Sequence, residues 1–489
     1  MQGNHSRVRH GLATAITLAL GIDGAHAAMI TVTDGGDAAT IGICTLRQAI
    51  ASANNDDAGT SNCTTGSGDD TIVFAAALAN QTITLSQGEL DISSSLTITG
   101  SGQTIDANQA SRVFGVSASA ALTASHVTIS GGLTTTGNAY GNTGGGIQAV
   151  GGASVNLSYV TIQDNTASTL GGGIAALTLS SSVSPSVTLS HCTVSGNHTG
   201  NKGAGVAVVR PTFPGPIPAL TIDDSQISGN TVTGGGPTDH GGGIYLYHST
   251  ADIARTTISG NSAYEGGGVF GLISGIRAVD TTFSGNSAAF RGGGIFAATS
   301  GLSIANTTVA GNTAVTSSGG IIVVNDTANI VNSTISGNTA ASSPGVTFVG
   351  NAPVDTHATL YNTIIADNGG DCDTTAGIPV VAKHNLLLTA GCGITKGTDG
   401  NLVGDPHLGA LANNGGPTQT IAPAADSSAL NAADSSLATF LTFTSNVPLS
   451  YDQRGPGYPR STVDGTVDIG SYQHQGNERI FTDGFEPGP

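Results

Sequence analysis

Short alternating segments recur along most of the chain. The clearest copies read TTISGNSA, TTFSGNSA, TTVAGNTA and STISGNTA, in which a branched or aromatic residue follows Thr and precedes a Gly-Asn pair. Eight copies align on an asparagine, namely Asn165, Asn197, Asn230, Asn261, Asn286, Asn312, Asn338 and Asn368. The steps between these asparagines are 25 to 33 residues long, and a period in this range indicates a stacked repeat architecture.

The alternation has period two, which predicts a short strand in each copy. The position three residues before Asn is always apolar, and it is filled by Ile162, Val194, Ile227, Ile258, Phe283, Val309, Ile335 and Ile365. We expect this column to face inward and the adjacent Thr column to face outward. Equivalent strands would pair in parallel from coil to coil, about 4.8 Å apart. The pattern therefore predicts an all-β chain folded as a single-stranded parallel β-helix.

Asparagine and glycine mark the expected turns. The Asn column is predicted to adopt left-handed backbone geometry, which Asn tolerates, and its stacked amides can hydrogen-bond along the axis. Glycine runs such as GGGVF (266–270) and GGGIF (292–296) are expected at the next corner, where a Cβ would clash or φ is positive. These residues are interpreted as structural.

The first 27 residues are predicted to be a secretory signal. Arg7 and Arg9 precede an apolar segment at 12–22, and Ala25-His26-Ala27 supplies a cleavage site after Ala27. The apolar segment is too short to span a bilayer, and no transmembrane helix is expected elsewhere. We therefore expect an exported protein.

Five cysteines would then lie in an oxidising compartment. Cys44 and Cys63 are predicted to form one disulfide, and Cys372 and Cys392 a second, since each pair closes a loop of about twenty residues and would stabilise the fold by roughly 3 kcal/mol. Cys192 is left over. Its register places it in an inward column, five residues before Asn, so we expect a buried thiol.

The segment CTLRQAIASANND (44–56) breaks the strand pattern. Leu46, Ala49, Ile50 and Ala53 follow helical spacing, so a short amphipathic helix is predicted, suited to cover the open end of the coil stack. The segment resembles the motif of the CSLREA-domain proteins, which are secreted or surface proteins of bacteria, although Thr45 and Gln48 replace the Ser and Glu of that name. This resemblance implies a right-handed parallel β-helix.

The repeat pattern ends near residue 371. The segments NLVGDPHLGALANNGGPTQT (401–420) and YDQRGPGYPRSTVDGTVDIGS (451–471) resemble the choice-of-anchor Q region found at the end of such β-helices. The matching motif residues are Asp405, Asn414, Gly415, Gly416, Asp452, Arg454, Gly455, Asp468, Ile469 and Gly470. The predicted organisation is a signal (1–27), an N-terminal cap (28–81), β-helix repeats (82–370), an irregular C-terminal cap (371–474) and a tail (475–489).

Composition narrows the possible partners. Only 9% of the residues are charged and the formal net charge is −18, so the chain has no basic surface to neutralise phosphates and nucleic acid is an unsuitable partner. The GGGI and SGNTA repeats are more distantly similar to chlamydial polymorphic outer-membrane proteins. We therefore expect a secreted, cell-surface or cell-envelope protein of a Gram-negative bacterium, acting as a monomer.

One outward column contains charged residues of the kind found in catalytic sites. Asp224, Arg255 and Asp280 lie six residues before Asn in three successive coils. Two coils would separate the acids by roughly 9.6 Å, near the upper limit of the roughly 6.5–9.5 Å found in inverting glycosidases. A lyase would instead use Arg255 as base, with the acids holding a cation. The opposing interpretation is an exposed ion-pair ladder that keeps both acids ionised and therefore unsuited to act as general acid.

No other cofactor or catalytic motif stands out. Asp367, Asp371 and Asp373 carry oxygen ligands of the kind that calcium prefers, so these residues suggest a calcium site. The expected function is non-enzymatic adhesion or binding of an extracellular polysaccharide or another cell surface. The alternative is a polysaccharide lyase or glycoside hydrolase centred on the column of Asp224, Arg255 and Asp280.

Overall fold

The computed structural model describes residues 27–59, 61–135, 141–179, 182–211, 215–350, 357–375, 378–442, 445–461 and 465–475. The predicted signal, apart from its last residue, and the predicted tail, apart from its first, lie outside these ranges. Across them the chain winds into a parallel β-helix whose coils present three stacked sheets. The fold class predicted from the sequence is confirmed.

Sheet 1 is bent, and the described residues give it 24 strands in two limbs. The first limb contains Met29–Val32, Asp70–Phe74, Ser154–Ser158, Ser186–Ser190, Ala219–Asp223, Thr250–Ala254, Gly275–Val279, Gly301–Ala305, Ala328–Val331, Ala358–Tyr361 and Val380–Lys383. The second contains Thr82–Thr84, Thr161–Gln163, Thr193–Ser195, Gln226–Ser228, Thr257–Ser259, Thr282–Ser284, Thr308–Ala310, Thr334–Ser336, Ile364–Ala366, Leu386–Leu387 and Leu402–Val403. The long strands Leu96–Asp106 and Ala121–Ser130 pass through both limbs.

Sheets 2 and 3 complete the coil. In the described residues sheet 2 consists of Leu90–Ile92, Phe114–Val116, Ile147–Val150, Ile174–Leu177, Val206–Val209, Ile244–Tyr247, Val269–Leu272, Ile295–Ala298, Ile321–Val324, Val346–Val349 and Cys372–Thr374. Sheet 3 consists of Leu133–Thr134, Thr166–Ala167, His198–Thr199, Thr231–Val232, Ser262–Glu265, Ser287–Arg291 and Thr313–Ala314. Parallel pairing runs from strand Met29–Val32 to strand Leu402–Val403, so the stack begins before and ends after the predicted 82–370.

The inward apolar column forms the core as predicted. Ile258 pairs with Phe283, Phe283 with Val309 and Val309 with Ile335, and all four are 0% exposed. Cys192 is also buried among the apolar residues of the interior, and this burial raises the pKa of its thiol. Because equivalent residues lie directly above one another, each position of the repeat becomes a line of side chains along the axis.

The Asn column forms a hydrogen-bonded ladder, but its backbone differs from the prediction. Each Nδ2 donates to the Oδ1 of the next coil at 2.9–3.0 Å, from Asn165 to Asn368. The expected left-handed geometry at Asn is wrong. It lies one residue earlier, at glycines such as Gly260 (φ 64°) and Gly285 (φ 62°), because the turn must aim the following Asn side chain inward.

A helix covers the N-terminal end of the stack. It spans Leu46–Asn55, and Leu46, Ala49, Ile50 and Ala53 lie in the core cluster. Thr45 and Gln48 form a capping box, in which the Thr45 N–H donates to Gln48 Oε1 at 3.1 Å and the Gln48 N–H donates to Thr45 Oγ1 at 3.3 Å. The two departures from the resembling motif therefore keep its helix-starting chemistry.

The C-terminal region covers the last coils of the stack and also packs along the outer face of sheet 1. The first part, with the Cys372–Cys392 disulfide, covers the last coils, and the Cys44–Cys63 disulfide ties down the N-terminal region, so both predicted disulfides are confirmed. From residue 405 the chain turns back along the outer face of sheet 1. We call residues 405–475 the return segment. It contains 3₁₀-helix Ser435–Leu437 and the hairpins Leu408–Ala412 with Thr420–Pro423 and Thr439–Leu441 with Asn446–Pro448; a further 3₁₀-helix spans Ala76–Leu78.

Polar side chains hold the return segment in place. Gln453 is fully buried; it accepts from Thr308 Oγ1 at 2.6 Å and donates to Thr282 Oγ1 at 2.8 Å. Arg454 forms a buried ion pair with Asp452, with 2.8 Å between Nη2 and Oδ2. Its guanidinium carbon lies 3.8 Å from the centre of the Tyr458 ring and equally close to that of Tyr472. The motif residues Asp452 and Arg454 therefore stabilise the return segment.

Candidate functional site

The column that contains Asp224, Arg255 and Asp280 lies at the bend between the two limbs of sheet 1. Their φ angles are 46°, 45° and 52°, so all three adopt the left-handed conformation. This geometry is uncommon for residues other than Gly, Asn and Asp, and it turns their side chains outward at a sharp corner. The same bend holds Tyr159 and His191 in the preceding coils, at 55° and 54°.

Arg255 is bound tightly by carboxylates. Its Nε donates to Asp224 Oδ1 and its Nη2 donates to Asp224 Oδ2, both at 3.0 Å, and Nη2 also bonds Asp223. The hydrogen bonds that Arg255 donates to the Asp224 carboxylate raise the pKa of Arg255. A guanidinium held in its charged form cannot accept a proton, so the hypothesis that Arg255 is a lyase base loses its chemical support.

Asp280 lies apart from this pair, below the return segment. Asn306 Nδ2 donates to its Oδ1 at 3.0 Å, and Thr418 Oγ1 donates to its backbone carbonyl at 3.1 Å. Burial raises the pKa of Asp280 to about 6, against opposing contributions from Asn306 and Arg460. Arg255 lowers the pKa of Asp280, but among the described residues its ion pairs are with Asp223 and Asp224, so the ion-pair ladder ends at Arg255.

A groove lies where the return segment meets the open part of sheet 1. It encloses about 680 Å³. One wall is formed by residues of the β-helix and the other by the loop at 413–419. Together the lining residues are His191, Cys192, Thr193, Asp224, Ser225, Gln226, Arg255, Thr257, Ser259, Ser284, Asn413, Gly416, Pro417, Thr418 and Gln419. The lining is mostly polar. Asp224 and Arg255 are thus brought together in a concave site, whereas Asp280 is not part of its wall.

An aromatic stack extends the same column away from the groove. The Tyr159 ring centre lies 5.1 Å from that of His126 and 4.6 Å from that of His191, with ring planes within 26° of parallel. Tyr159 is 52% exposed. The rings shield each other's faces and offer their polar edges to solvent, so they suit hydrogen bonding better than face-on stacking with a sugar. The sequence contained Tyr159 and His191 in this column, but their mutual stacking depends on the coil-to-coil register.

Other aromatic residues lie elsewhere. Tyr245 stacks with Phe270 at 5.6 Å on the outer face of sheet 2, and Tyr264 stacks with Phe290 at 5.4 Å in sheet 3. Neither tyrosine lines the groove. A second groove of about 560 Å³ lies on the opposite side of the return segment, between sheet 1 and the hairpin at 439–448. It is more apolar and contains none of the residues singled out from the sequence.

The three aspartates suggested for calcium have protein partners. Asp371 Oδ2 accepts from the Thr389 N–H at 2.7 Å, and Asp373 Oδ2 accepts from Ser343 Oγ at 2.6 Å. Burial raises the pKa of Asp367. Within the described ranges, no group of three or more His, Cys, Asp or Glu side chains is arranged to hold a metal ion. Nor does any helix there have the length and apolar character that a membrane crossing requires.

Comparison with known proteins supports the fold. A family model described as a right-handed β-helix region matches residues 219–402, so the fold is a right-handed parallel β-helix. The search of curated proteins gave no match. A crystal structure of the pectate lyase Pel9A is 14% identical over 92% of this chain and 98% of its own, with a TM-score of 0.40. XylC in complex with xylose is 11% identical over 80% of this chain and 66% of its own, with a TM-score of 0.33.

Proposed function

We propose that the protein is exported by a Gram-negative bacterium and binds an extracellular polysaccharide, without cleaving it, in the groove beside Asp224 and Arg255. The observation that carries this proposal is the groove itself, which is concave, polar and aligned with a column of outward side chains. Equivalent positions repeat in every coil, roughly 4.8 Å apart, and such an array suits a polymer of repeated units. We propose that the protein acts as a monomer at the cell surface or in the medium.

The charges favour a neutral glycan. Asp224, in the groove, and Asp223, beside it, both pair with Arg255 and together outweigh its charge, and the whole chain has a formal charge of −18. A uronate polymer would meet this excess of carboxylates without a free cation to pair with. A neutral sugar offers hydroxyl groups that Gln226, Thr257 and the loop at 413–419 are able to bind.

The binding test uses matched threonine variants. Thr257→Ala removes a hydroxyl group from the groove, and Thr313→Ala removes an exposed one from sheet 3. Calorimetry with a panel of neutral and acidic polysaccharides should detect binding of a neutral one. Thr257→Ala should weaken it by about 0.5–1.5 kcal/mol, a typical hydrogen-bond contribution, and Thr313→Ala should not. Equal affinity of the two variants, or absence of binding by the unmodified protein, would contradict the proposal.

A second candidate function is a polysaccharide lyase or hydrolase. One feature favours it: burial raises the pKa of Asp280 to about 6, so a minor fraction of this carboxyl carries the proton that a general acid needs at neutral pH, and substrate would have to displace the covering loop at 413–419 to reach it. Release of reducing ends or unsaturated products from the same glycan panel tests this function. Product formation that is lost in Asp280→Asn would replace the binding proposal by the enzymatic one.

A further inference from the structure

A buried carboxylate faces the start of the first strand. Asp70 is 0% exposed, and its Oδ1 accepts hydrogen bonds from the backbone N–H groups of Ala28 at 2.8 Å and Ser67 at 2.9 Å. Its Oδ2 is also buried but accepts no hydrogen bond from any residue that the structure describes. Among the described residues, no Lys, Arg or His forms an ion pair with Asp70. A buried carboxylate with an unpaired oxygen is unfavourable and calls for a partner.

The position of Ala28 is fixed against this carboxylate. Its carbonyl accepts from the Thr71 N–H at 2.8 Å, and its side chain packs against the core. The next residues form strand Met29–Val32, which pairs in parallel with strand Asp70–Phe74. The space around the free oxygen is closed on one side by Gly66, where a Cβ would lie 2.6 Å from Asp70 Oδ2. The Ala28 nitrogen is thus held at a built anionic site.

We propose that cleavage between Ala27 and Ala28 creates an α-ammonium group at Ala28 that is the missing partner of Asp70. Signal peptidase would hydrolyse the peptide bond between Ala27 and Ala28. The hydroxyl of water becomes part of the new carboxylate of Ala27, and the released amine of Ala28 takes up the proton. The Ala-His-Ala sequence before the bond is of the type that this enzyme cleaves. This inference rests on the export proposed above and does not depend on glycan binding.

Cleavage changes the charge and the number of hydrogen-bond donors at the Ala28 nitrogen, whose position stays fixed. Before cleavage the Ala28 nitrogen offers a single N–H, and afterwards it offers three N–H donors and a positive charge. The neutral amide of the precursor leaves the Asp70 charge uncompensated, whereas the ammonium pairs with it in the folded interior. An adjacent carboxylate favours the charged amine, so the pKa of the Ala28 amine should rise by one unit or more above its usual value of about 7.7–8.0.

The test compares a chain that starts at Ala28 with one that starts at Ala25, each with Asp70 and with Asp70→Asn. The chain that starts at Ala25 keeps an amide at Ala28. We expect the chain that starts at Ala28 to melt at the higher temperature, and this difference to disappear in the Asp70→Asn pair. NMR of the ¹³C-methylated amine should give the raised pKa in the first chain only. Equal melting temperatures with Asp70 present, together with an ordinary amine pKa, would overturn the pairing.

A separate measurement tests the cleavage. Mass spectrometry of the protein exported from a Gram-negative host should show an N-terminus at Ala28, and a different N-terminus would overturn the proposed site. Failure of export would refute the proposed localisation and the cleavage step, while the melting and NMR comparison of purified chains would still decide whether an ammonium at Ala28 pairs with Asp70. If Asp70→Asn does not fold, the two chains with Asp70 intact decide the question.

Discussion

The asparagine ladder provides the sharpest test of the energetics of this β-helix. The side chain of Asn286 makes four hydrogen bonds inside the core. It accepts from the N–H and the Nδ2 of Asn261, both at 3.0 Å, and it donates to the Ile258 carbonyl and to Asn312 Oδ1, both at 2.9 Å. Asn286→Ala therefore leaves two buried donors on Asn261 without an acceptor, in a place that is closed to water.

The expected loss of stability follows from these two unsatisfied donors. Each unsatisfied buried group costs about 1–3 kcal/mol, so Asn286→Ala should lower the free energy of unfolding by about 2–6 kcal/mol. Asn329→Ala is the matched control. Asn329 lies on the outer side of strand Ala328–Val331 and is half-buried, so its truncation should change stability by at most about 0.5 kcal/mol, as for most surface substitutions.

Two measurements check this prediction. Urea unfolding of the two variants gives the global difference in stability, provided that each transition is cooperative. Amide hydrogen exchange gives a local result that does not require two-state unfolding: the Asn261 N–H should exchange faster in Asn286→Ala, because it has lost its acceptor. If the two variants unfold within about 0.5 kcal/mol of each other and the Asn261 amide keeps its protection, the ladder does not stabilise the fold and the argument fails.

Three further outcomes are expected. Gln453→Ala should loosen the return segment, because it removes a buried side chain that bonds Thr282 and Thr308, and limited proteolysis should then cut within residues 405–475. Loss of the disulfide in a Cys372→Ser, Cys392→Ser double variant should cost roughly 3 kcal/mol, measured by thermal unfolding against the unmodified chain under oxidising conditions. Because the folded-state pKa of Asp280 is raised to about 6, its contribution to stability is present at pH 4 and is lost as the pH rises through 6; Asp280→Asn should remove this decline, and an unchanged pH profile in that variant would contradict it.

Local patterns in the sequence determine much of this fold. The period-two alternation identifies the inward column correctly, since a strand side chain has only two directions and the apolar one must be buried. Helical spacing at 46–53 and the short separations between paired cysteines are likewise local signals. The sequence places the left-handed conformation at the Asn column, whereas the structure has it one residue earlier, usually at Gly. Both residue types adopt this conformation, so the sequence alone does not determine which of the two neighbours does so.

The course of the return segment has no comparable signal. It docks through pairs such as Thr282 Oγ1 with the Gln419 carbonyl, which are 137 residues apart and involve residue types that are common throughout the chain. From the repeat pattern alone, Asp280 and Asp224 occupy the same outward position and are expected to be equally exposed. Its burial, its raised pKa and the groove beside Arg255 all arise from a contact between distant polar residues, and neither periodicity nor composition predicts such a contact.

The chemistry of the outward column changes where the return segment begins to cover it. The uncovered coils carry Tyr159, His191, Asp224 and Arg255 in this column, and beyond Asp280 the next three positions are Asn306, Asn332 and Asn362. The Nδ2 of Asn306 donates to the Tyr451 carbonyl at 2.8 Å, and that of Asn362 donates to the Asp434 carbonyl at 2.9 Å. An amide satisfies a covering backbone without burying a charge, and Asn306 and Asn362 both do so. Past Asn362 the column continues to His384, whose Nδ1 lies 2.9 Å from the Ala432 carbonyl of the return segment. The uncovered part of this column therefore ends at Arg255 and the loop at 413–419.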